Sequence, residues 1–399
     1  MTADGLRGDD VLRIADIEAR WIRCPIPEER QFVSDFGRLE TFDMAIVRIR
    51  TQDGLEGWGE AKGAVGSAGD CASLVTCIER ELGPRLIGTD ARRITRAWET
   101  LYNGTRDHYA LSRGRGFPAL GRRGTNVAAT GAIDVALHDL VGKALGVPVV
   151  QLLGGACRDE MPVYASGGWA DADGIGAQLE GYTEKGFSAV KMRIGAMDKT
   201  VDASIDRVRA ARDHLGRDIE LMVDAHGTFS VAEAKRFARE VEGCGLRWFE
   251  EPLNADDHAG LAELRAVTTV PIAAGESEFT RFAFLDLLRT GAVDVLQPDT
   301  AIVGGITEAR RIGELAGAFQ RELAPHLWGS ALSFMAGMHV AFACPAAAIL
   351  EYSLGDNPLL HDLVEEDMGP TDGTFAAPTA AGLGVTPKAD FIDEFTVKQ

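Results

Sequence analysis

The second half of the chain repeats one pattern, in which a short apolar run of strand character is followed by a stretch of helical period. Strands that alternate with helices of about 10–15 residues are typical of a parallel sheet, and eight strands predict a closed (β/α) barrel. The predicted strands are P-V-Y-A-S-G-G at 162–168, then 187–193, 219–225, 246–251, 271–276, 293–297, 321–326 and 347–352. The predicted helices are 173–186, 200–215, 230–243, 256–268, 281–290, 304–318 and 329–342.

The first part of the chain has a different period. Apolar and polar residues alternate over residues 11–62, around a D-G turn at 53–54, which predicts an antiparallel sheet of about three strands. Helical period follows at 70–104 and 125–146. We therefore expect an α+β domain at 1–130 and a barrel domain at 131–359. The tail from about 360 to 399 lacks helical period and is expected to pack back on the first domain.

A charged or metal-binding side chain ends nearly every predicted barrel strand. From Asp224 onward these residues are spaced by 26, 26, 23, 27 and 25 positions, which one strand, one helix and two loops require. Unpaired buried charge is too costly to serve a core, so the pattern predicts a ring of functional groups at one mouth of the barrel. The residues are Lys191, Asp224, Glu250, Glu276, Asp299, His326 and Glu351.

Three consecutive strands end in the carboxylates Asp224, Glu250 and Glu276. Neighbouring parallel strands lie about 5 Å apart, so these anions converge and repel unless a cation lies among them. Oxygen ligands of this kind suit Mg²⁺, one ion per subunit, with Mn²⁺ as the other possibility. The alternative is that each carboxylate pairs with a barrel lysine or arginine.

Asp299 and His326 end the next two strands. A carboxylate that accepts the imidazole N–H sets its tautomer and raises its basicity, which predicts a general acid/base dyad. The alternative is a structural histidine whose hydrogen bonds are satisfied. Lys191 and Arg193 share one face of their strand and could hold a substrate carboxylate or move a proton. Glu351 could donate a hydrogen bond to developing negative charge if its pKa is raised, or form a salt bridge across the barrel seam.

His226 lies two residues beyond Asp224, so it is expected on the same face and further out towards substrate. It could protonate a leaving hydroxyl from the side opposite His326. It could instead orient a ligand carboxylate or bind substrate without transferring a proton. Glu251, which follows a predicted metal ligand, is expected to form a barrel salt bridge, and His339 is expected to be structural.

Composition excludes several classes of protein. The 399 residues carry a net charge of −19, which argues against binding to nucleic acid or to an anionic membrane surface. The six cysteines lie far apart without a C-x-x-C motif, as in a protein with reduced thiols. No N-terminal apolar segment of a secretion signal and no run of 18 apolar residues is present, so a cytoplasmic location is expected.

With these motifs the chain resembles the enolase superfamily, specifically its mandelate racemase subgroup. The likeness extends from about residue 11 to 390. It rests on G-W-G-E at 57–60, the helix at 132–149, L-L-G-G at 152–155 and the barrel motifs V-K-M-R, V-D-A-H, F-E-E-P-L, G-E-S and Q-P-D. The resemblance implies an N-terminal capping domain, a (β/α)₇β barrel and a homo-oligomer, from dimer to octamer. It also implies that Asp224, Glu250 and Glu276 bind Mg²⁺, that Asp299 and His326 form the dyad, and that Glu351 is the electrophilic carboxylate.

Two departures from the subgroup narrow the expected reaction. The usual K-x-K strand has Arg193 in place of its second lysine, and arginine stays protonated, which disfavours a two-base racemase. The usual D-x-N strand is D-x-H here, with His226, as in galactonate and mannonate dehydratases. We therefore expect a dehydratase of an aldonic or aldaric acid that forms a metal-stabilised enediolate and yields a 2-keto-3-deoxy acid.

Two other readings stay open. One is a racemase, epimerase or lactone cycloisomerase that acts through the same enediolate, and the other is a non-catalytic family member that binds a sugar acid. In either case the substrate is a small carboxylic acid. The loop at 25–38 mixes charged and aromatic residues, as functional lids do, and Arg30 and Phe36 are its candidates for contact with the distal hydroxyls.

Overall fold

The N-terminal domain is built on an antiparallel sheet, as its alternating pattern predicts. In the computed structural model, which describes residues 11–34, 37–63, 69–114 and 123–398, this sheet has the strand order β1-β4-β5. The D-G pair makes the turn between the last two strands, with Gly54 at φ +86°. The strands of the N-terminal domain are β1 Ile14–Pro25, β2 Phe32–Ser34, β3 Gly37–Leu39, β4 Thr41–Thr51 and β5 Glu56–Ala61.

The segment at 25–38 is more ordered than a long loop. β2 and β3 pair antiparallel, with Phe32 opposite Leu39, so this segment carries a short hairpin that the sequence pattern did not reveal. Strands of three residues are too short to show a period of two.

Several helices follow the sheet in the chain. They are α1 Ala72–Thr76, a π-helical turn Cys77–Leu82, α2 Ile94–Asn103, α3 Asp107–Arg113, α4 Thr125–Leu145 and α5 Val149–Leu152. The buried helix α4 packs along the sheet and spans the boundary drawn from sequence at 130/131. Gly59 explains part of the G-W-G-E motif, since a Cβ there would lie 2.1 Å from the carbonyl oxygen of Ala132. The helix can approach the strand this closely only over glycine.

The barrel follows, with eight parallel strands and seven intervening helices within residues 160–353, all of which the structure describes. Neighbours pair in chain order, β13 pairs with β6, and a parallel bridge between Leu323 and Ala347 closes the ring. The strands are β6 Glu160–Gly167, β7 Ala189–Arg193, β8 Glu220–Asp224, β9 Leu246–Glu250, β10 Ile272–Ala274, β11 Val295–Leu296, β12 Glu322–Leu323 and β13 Leu350–Ser353. The helices are α6 Ile175–Thr183, α7 Val201–Leu215, α8 Val231–Glu240, α9 His258–Arg265, α10 Thr280–Thr290, α11 Gly305–Ala318 and α12 Ala331–Ala343. The fold is a (β/α)₇β barrel with an N-terminal α+β capping domain.

One apolar layer plugs the barrel interior. Each strand or its immediate end contributes one buried side chain to it, as barrel interiors require. The layer consists of Tyr164, Ala189, Met222, Trp248, Ala273, Val295, Ala324 and Ile349. Because side chains alternate along a strand, the residue two positions further on faces the same interior, one layer closer to the mouth.

The tail departs from the expectation in two respects. It contains the helices α13 Pro358–His361 and α14 Ala389–Phe395, although its sequence lacks an evident helical period. Its strand β14 Thr374–Ala376 pairs antiparallel with β6 and so extends the barrel sheet. At its end the tail does return to the N-terminal domain, where the Val397 N–H donates to the Trp21 carbonyl at 2.8 Å.

His339 joins α12 to two distant segments. Its Nδ1 accepts from the Val150 N–H at 3.0 Å, and its Nε2 contacts the Leu383 carbonyl at 3.1 Å. This geometry requires the neutral ring with the proton on Nε2. Burial lowers the pKa of His339 to about 4. The structural role expected from sequence agrees with these contacts.

This histidine should make stability sensitive to acid. Because its pKa in the folded chain lies below the ordinary 6.5, the unfolded chain binds the proton more tightly. The contribution is complete above pH 6.5 and is lost as pH falls towards 4, about 3 kcal/mol in all. We expect His339→Gln to flatten the dependence of unfolding free energy on pH in this window, measured by urea titration. The same substitution at the exposed His214 is the control, and equal slopes for both variants would contradict the assignment.

Candidate active site

The predicted site residues form the layer above the apolar plug. On each strand the residue two positions after the plug residue belongs to this layer. In strand order these residues are Ser166, Lys191, Asp224, Glu250, Gly275, Gln297, His326 and Glu351. Glu276 and Asp299 extend from the ends of β10 and β11 into the same region. The predicted convergence at one mouth is therefore observed, and the period of two within each strand is its cause.

Two cations lie among the carboxylates. The Lys191 ammonium contacts Glu250, lies 3.0 Å from Glu351 Oε1 and 3.4 Å from Asp224 Oδ2, and is fully buried. The Arg193 guanidinium donates to Asp224. Burial opposes the charge on Lys191, but Glu250 and Glu351 together raise its pKa. The pairing of carboxylates with lysine and arginine, considered from sequence as the alternative to a metal, is thus present for Asp224 and Glu250.

Glu276 pairs with no lysine or arginine among the residues that the structure describes. Its Oε1 is buried without a hydrogen-bond partner among the described residues, and its Oε2 lies 3.5 Å from His326 Nε2. Asp224, His226 and Glu276 each offer one ligand atom, and these atoms lie within 4.8 Å of one another. Glu250 is not one of these three residues, and its two oxygens contact the Lys191 ammonium and, at 2.8 Å, the Trp248 indole N–H. Two of the three predicted ligands thus converge with His226, and the role of Glu250 stays a prediction.

These residues fit a divalent cation. Four buried carboxylates at the mouth, Asp224, Glu250, Glu276 and Glu351, face two cationic side chains, Lys191 and Arg193. A divalent ion would balance the remaining negative charge and would satisfy the orphaned Glu276 oxygen. Carboxylate oxygens are the donors that Mg²⁺ and Mn²⁺ prefer in proteins.

The predicted dyad is formed. His326 Nδ1 lies 2.7 Å from Asp299 Oδ2, which leaves Nε2 facing Glu276. The same Asp299 oxygen lies 2.5 Å from the ammonium of Lys62, which also donates to the Trp328 carbonyl at 2.6 Å. Burial opposes ionisation of Asp299, but Lys62 and His326 hold its pKa below the ordinary value. A buried lysine of the capping domain therefore completes a Lys–Asp–His chain.

Lys62 was missed from sequence. It follows G-W-G-E-A one residue after β5, where no repeat or metal-ligand spacing marks it. Its neighbour Glu60 is also buried and accepts hydrogen bonds from the Ser330 and Ser333 hydroxyls, the latter at 3.1 Å. The motif therefore sends two charged side chains from the capping domain to the barrel.

Removal of Lys62 should affect both stability and turnover. We expect Lys62→Met to leave Asp299 with one cationic partner fewer, to cost up to about 3 kcal/mol of unfolding free energy, and to slow α-proton exchange at least about tenfold. Denaturant titration and exchange rates in deuterated water measure the two effects. Lys185→Met, at an exposed position, serves as the matched control. Exchange at the wild-type rate in a folded Lys62→Met protein would contradict the coupling.

Glu351 and Glu251 differ from expectation. Burial would raise the pKa of Glu351, but Lys191 and His326 outweigh it and hold the pKa below the ordinary value. The raised pKa that a donor role requires is thus not found, and the salt bridge of Glu351 is formed with Lys191 on the second strand instead of with a residue of the first.

Glu251 forms no ion pair within the described residues, so the predicted salt bridge is wrong. Burial and the charge of Glu276 raise its pKa well above the ordinary value.

His226 belongs to a turn instead of an extended strand. β8 ends at Asp224, and His226 adopts a left-handed backbone with φ +43°. Its N–H donates to Asp224 Oδ1 at 3.1 Å, and its Nε2 lies 3.4 Å from Asp224 Oδ2. Such a conformation costs about 1–3 kcal/mol away from glycine, and strained residues of this kind cluster at functional sites. The side chain therefore folds back towards the carboxylates and does not extend outward along the strand.

Aromatic side chains rim the mouth. Phe32 of the β2–β3 hairpin packs against Trp169 with the rings tilted and their centroids 4.7 Å apart, and Trp169 meets Trp328 edge to face at 6.4 Å. The Arg193 guanidinium lies 5.6 Å from the Trp328 ring centroid. The predicted lid thus does reach the barrel, although through Phe32. Phe36 lies outside the described residues, and Arg30 pairs with Asp356 at 3.1 Å, so their contacts with substrate stay predictions.

The fold and these motifs define a family. Residues 17–154 match the N-terminal domain of the mandelate racemase/muconate lactonizing enzyme family, and residues 174–391 match the enolase C-terminal domain-like family. The chain belongs to the enolase superfamily, in its mandelate racemase/muconate lactonizing enzyme group. No helix among the described residues is long and apolar enough to cross a membrane.

Particular relatives differ in the reactions that their names state. The chain is 32% identical to the D-galactarolactone cycloisomerase of Agrobacterium fabrum over 88% of this chain and 90% of that protein. It is 36% identical to the D-galactonate dehydratase of Ralstonia nicotianae, over 85% and 87%. A racemase structure from Streptomyces coelicolor with bound magnesium superposes with a TM-score of 0.83 at 30% identity, over 96% of this chain and all of that one (100%).

Proposed function

We propose that this protein is a Mg²⁺-dependent dehydratase of an aldonic or aldaric acid. The observation that carries the proposal is the His326–Asp299 dyad, whose free Nε2 faces Glu276 at the mouth that also holds Asp224 and His226. A base beside a cluster of acidic ligands suits abstraction of a proton α to a carboxylate. The similarity to the Ralstonia dehydratase supports dehydration of a sugar acid, and the similarity to the magnesium-bound Streptomyces structure supports Mg²⁺ as the ion.

The residues would divide the chemistry as follows. Asp224, Glu250 and Glu276 would hold Mg²⁺, which when bound supplies positive charge beside the substrate carboxylate. The Lys191 ammonium would add a second positive charge near the substrate carboxylate. His326 Nε2 would take the α-proton, and the electrons of the broken C–H bond would pass into an enediolate.

The second half of the reaction breaks the β-carbon–oxygen bond. The enediolate electrons form the new double bond, and the hydroxyl leaves as water with a proton from His226 or from His326 itself. The resulting enol takes up a proton and becomes the 2-keto-3-deoxy acid. Arg193, permanently charged and bound to Asp224, would bind substrate or intermediate and not abstract a proton.

His226 can be separated from His326 by experiment. We expect His226→Asn to retain α-proton exchange while keto-acid formation falls about 100-fold, because a lost proton donor affects only departure of the hydroxyl. Nuclear magnetic resonance in deuterated water measures exchange, and a semicarbazide assay measures keto acid. Equal rates of both processes in the variant and the wild type would assign the second proton to His326.

A panel of aldonic and aldaric acids, each incubated with protein and Mg²⁺, tests the proposed activity. Formation of a 2-keto-3-deoxy acid from at least one of them is the expected result. The resemblance to the Agrobacterium cycloisomerase favours a second candidate, an isomerase that uses the same enediolate. Deuterium incorporation with inversion or ring rearrangement and without keto acid would establish that candidate. Calorimetric binding of sugar acids without any turnover would indicate a non-catalytic member.

A further inference from the structure

A basic cleft lies away from the barrel mouth, between the start of α2, one side of α4 and the outer face of α11. Its volume is about 580 Å³, and it shares no residue with the candidate active site. The protein as a whole has a net charge of −19, but the lining of this cleft is positively charged. It contains five arginines and a single acidic residue, Glu314. The basic residues are Arg92, Arg93, Arg96, Arg310, Arg311 and the histidine His138.

Two arginines of the cleft form no ion pair within the described residues, and the other two on this side do. Arg92 pairs with Asp90 at 2.9 Å, and Arg311 pairs with Glu308 at 2.6 Å, so these two are engaged. The side chains of Arg93 and Arg96 are exposed and form no ion pair or hydrogen bond within the residues that the structure describes.

Arg310 has only a weak partner. Its side chain contacts Glu314 at 3.4 Å, and both groups are at least half exposed, so water screens this pair. Three arginines are therefore available to an anion.

His138 lines the same cleft from the buried side. The residue is 5% exposed, and its Nδ1 lies 2.8 Å from the Asp134 carbonyl oxygen, which sets this nitrogen as the donor. Its Nε2 makes no hydrogen bond within the described part of the chain. Burial opposes protonation of the ring, but the Asp134 side chain raises the pKa of His138 above its ordinary value. A nearly buried polar group thus faces the cleft without a protein partner.

The first turn of α2 adds backbone donors. This ten-residue helix begins at Ile94, and no side chain caps its N-terminus. The N–H groups of a first helical turn have no partner within the helix, and the helix dipole favours an anion there. Ile94 and Thr95 line the cleft, so this end of the helix opens on the same space as the arginines.

We propose that this cleft binds a small phosphorylated molecule, with Arg93, Arg96 and Arg310 on the phosphate and His138 at the cleft wall. Guanidinium groups bind phosphate oxygens bidentately, and helix N-termini bind the same group. The volume exceeds what a single phosphate needs and suits a phosphate ester or diphosphate. The occupant would bridge α2 of the capping domain and α11 of the barrel, so its binding stabilises the folded chain.

The proposal is tested by calorimetric titration of the full chain with inorganic pyrophosphate. The buffer is first passed over a chelating resin to remove metal ions. The wild type should bind pyrophosphate saturably, and Arg93→Ala/Arg96→Ala should weaken this binding at least about tenfold. The matched control is Arg239→Ala/Arg289→Ala, which removes two exposed arginines from helices elsewhere. Absence of saturable binding, or equal weakening in both double variants, would overturn the site.

A second comparison tests the class of ligand. A hexose phosphate and pyrophosphate should each bind more tightly than citrate at equal ionic strength and should raise the melting temperature of the wild type. Citrate binding as tight as pyrophosphate would overturn the preference for phosphate. Turnover of sugar acids is expected to be unchanged in Arg93→Ala/Arg96→Ala, so loss of pyrophosphate binding in an active protein separates this cleft from the active site.

Discussion

We expect His326→Asn to nearly abolish α-proton exchange while the protein still binds Mg²⁺. Asparagine occupies a similar volume and can still contact Asp299, but it has no basic nitrogen to receive the proton. The expected loss is roughly 10²–10⁴-fold in exchange and in keto-acid formation alike, because both follow the same abstraction. Nuclear magnetic resonance in deuterated water gives the exchange rate, and elemental analysis gives the metal content.

The matched control for this variant is His214→Asn. His214 lies at the end of α7 and contacts Glu180 at 3.0 Å on the surface, far along the chain from the dyad. The His214→Asn variant should retain the wild-type rate of α-proton exchange. Normal exchange in His326→Asn would mean that another base acts and would remove the dyad from the mechanism. A loss of metal together with exchange would show that His326 acts mainly by shaping the metal site.

Removal of the divalent ion should have the other large effect. Chelation with EDTA is expected to abolish turnover, and added Mg²⁺ should restore it. Glu276→Gln should weaken Mg²⁺ binding at least about tenfold, measured by calorimetry, because an amide is a neutral and weaker ligand. Glu276 is the informative position, since within the described part of the chain it has no lysine or arginine partner that the substitution would leave unpaired in the interior.

Glu263→Gln is the control for charge, since Glu263 is exposed and pairs with Lys235 on the helical surface. It should leave Mg²⁺ affinity unchanged. Full turnover in metal-free protein would exclude the proposed ion and would favour the pairing of Asp224 and Glu250 with Lys191 and Arg193 as their permanent arrangement. In that case a sugar acid could bind to the cations, but the enediolate would lack its counter-charge.

Local pattern predicts the architecture because barrel geometry is repetitive. The alternation of strands and helices recurs with nearly constant spacing, and each repeat ends in a chemically similar side chain. The structure agrees within a few residues for most barrel elements, and the candidates from Lys191 to Glu351 converge at one mouth. The hairpin at Phe32–Leu39 and the helix Ala389–Phe395 escaped prediction because short elements carry too little period.

The ion pairs and hydrogen bonds at the barrel mouth depend on distances between side chains, and the spacing of residues along the sequence does not determine these distances. The expected donor role of Glu351 required a raised pKa, whereas the ammonium of Lys191 lies close enough to lower it. His226 was expected further out along its strand, but the chain turns at that residue and brings the ring back to Asp224.

The sequence by itself determined the fold and the set of chemical groups at the mouth, because these follow from periods of two and 3.6 and from repeat spacing. Its motifs carried the resemblance to the family. Only the tertiary structure decided which charges touch. Lys62 reaches Asp299 across 237 positions of the chain, and Arg96 and Arg310 line one cleft although they belong to different domains. Ion pairs and clefts arise where separate elements pack, and their energies depend on burial that only the assembled chain provides.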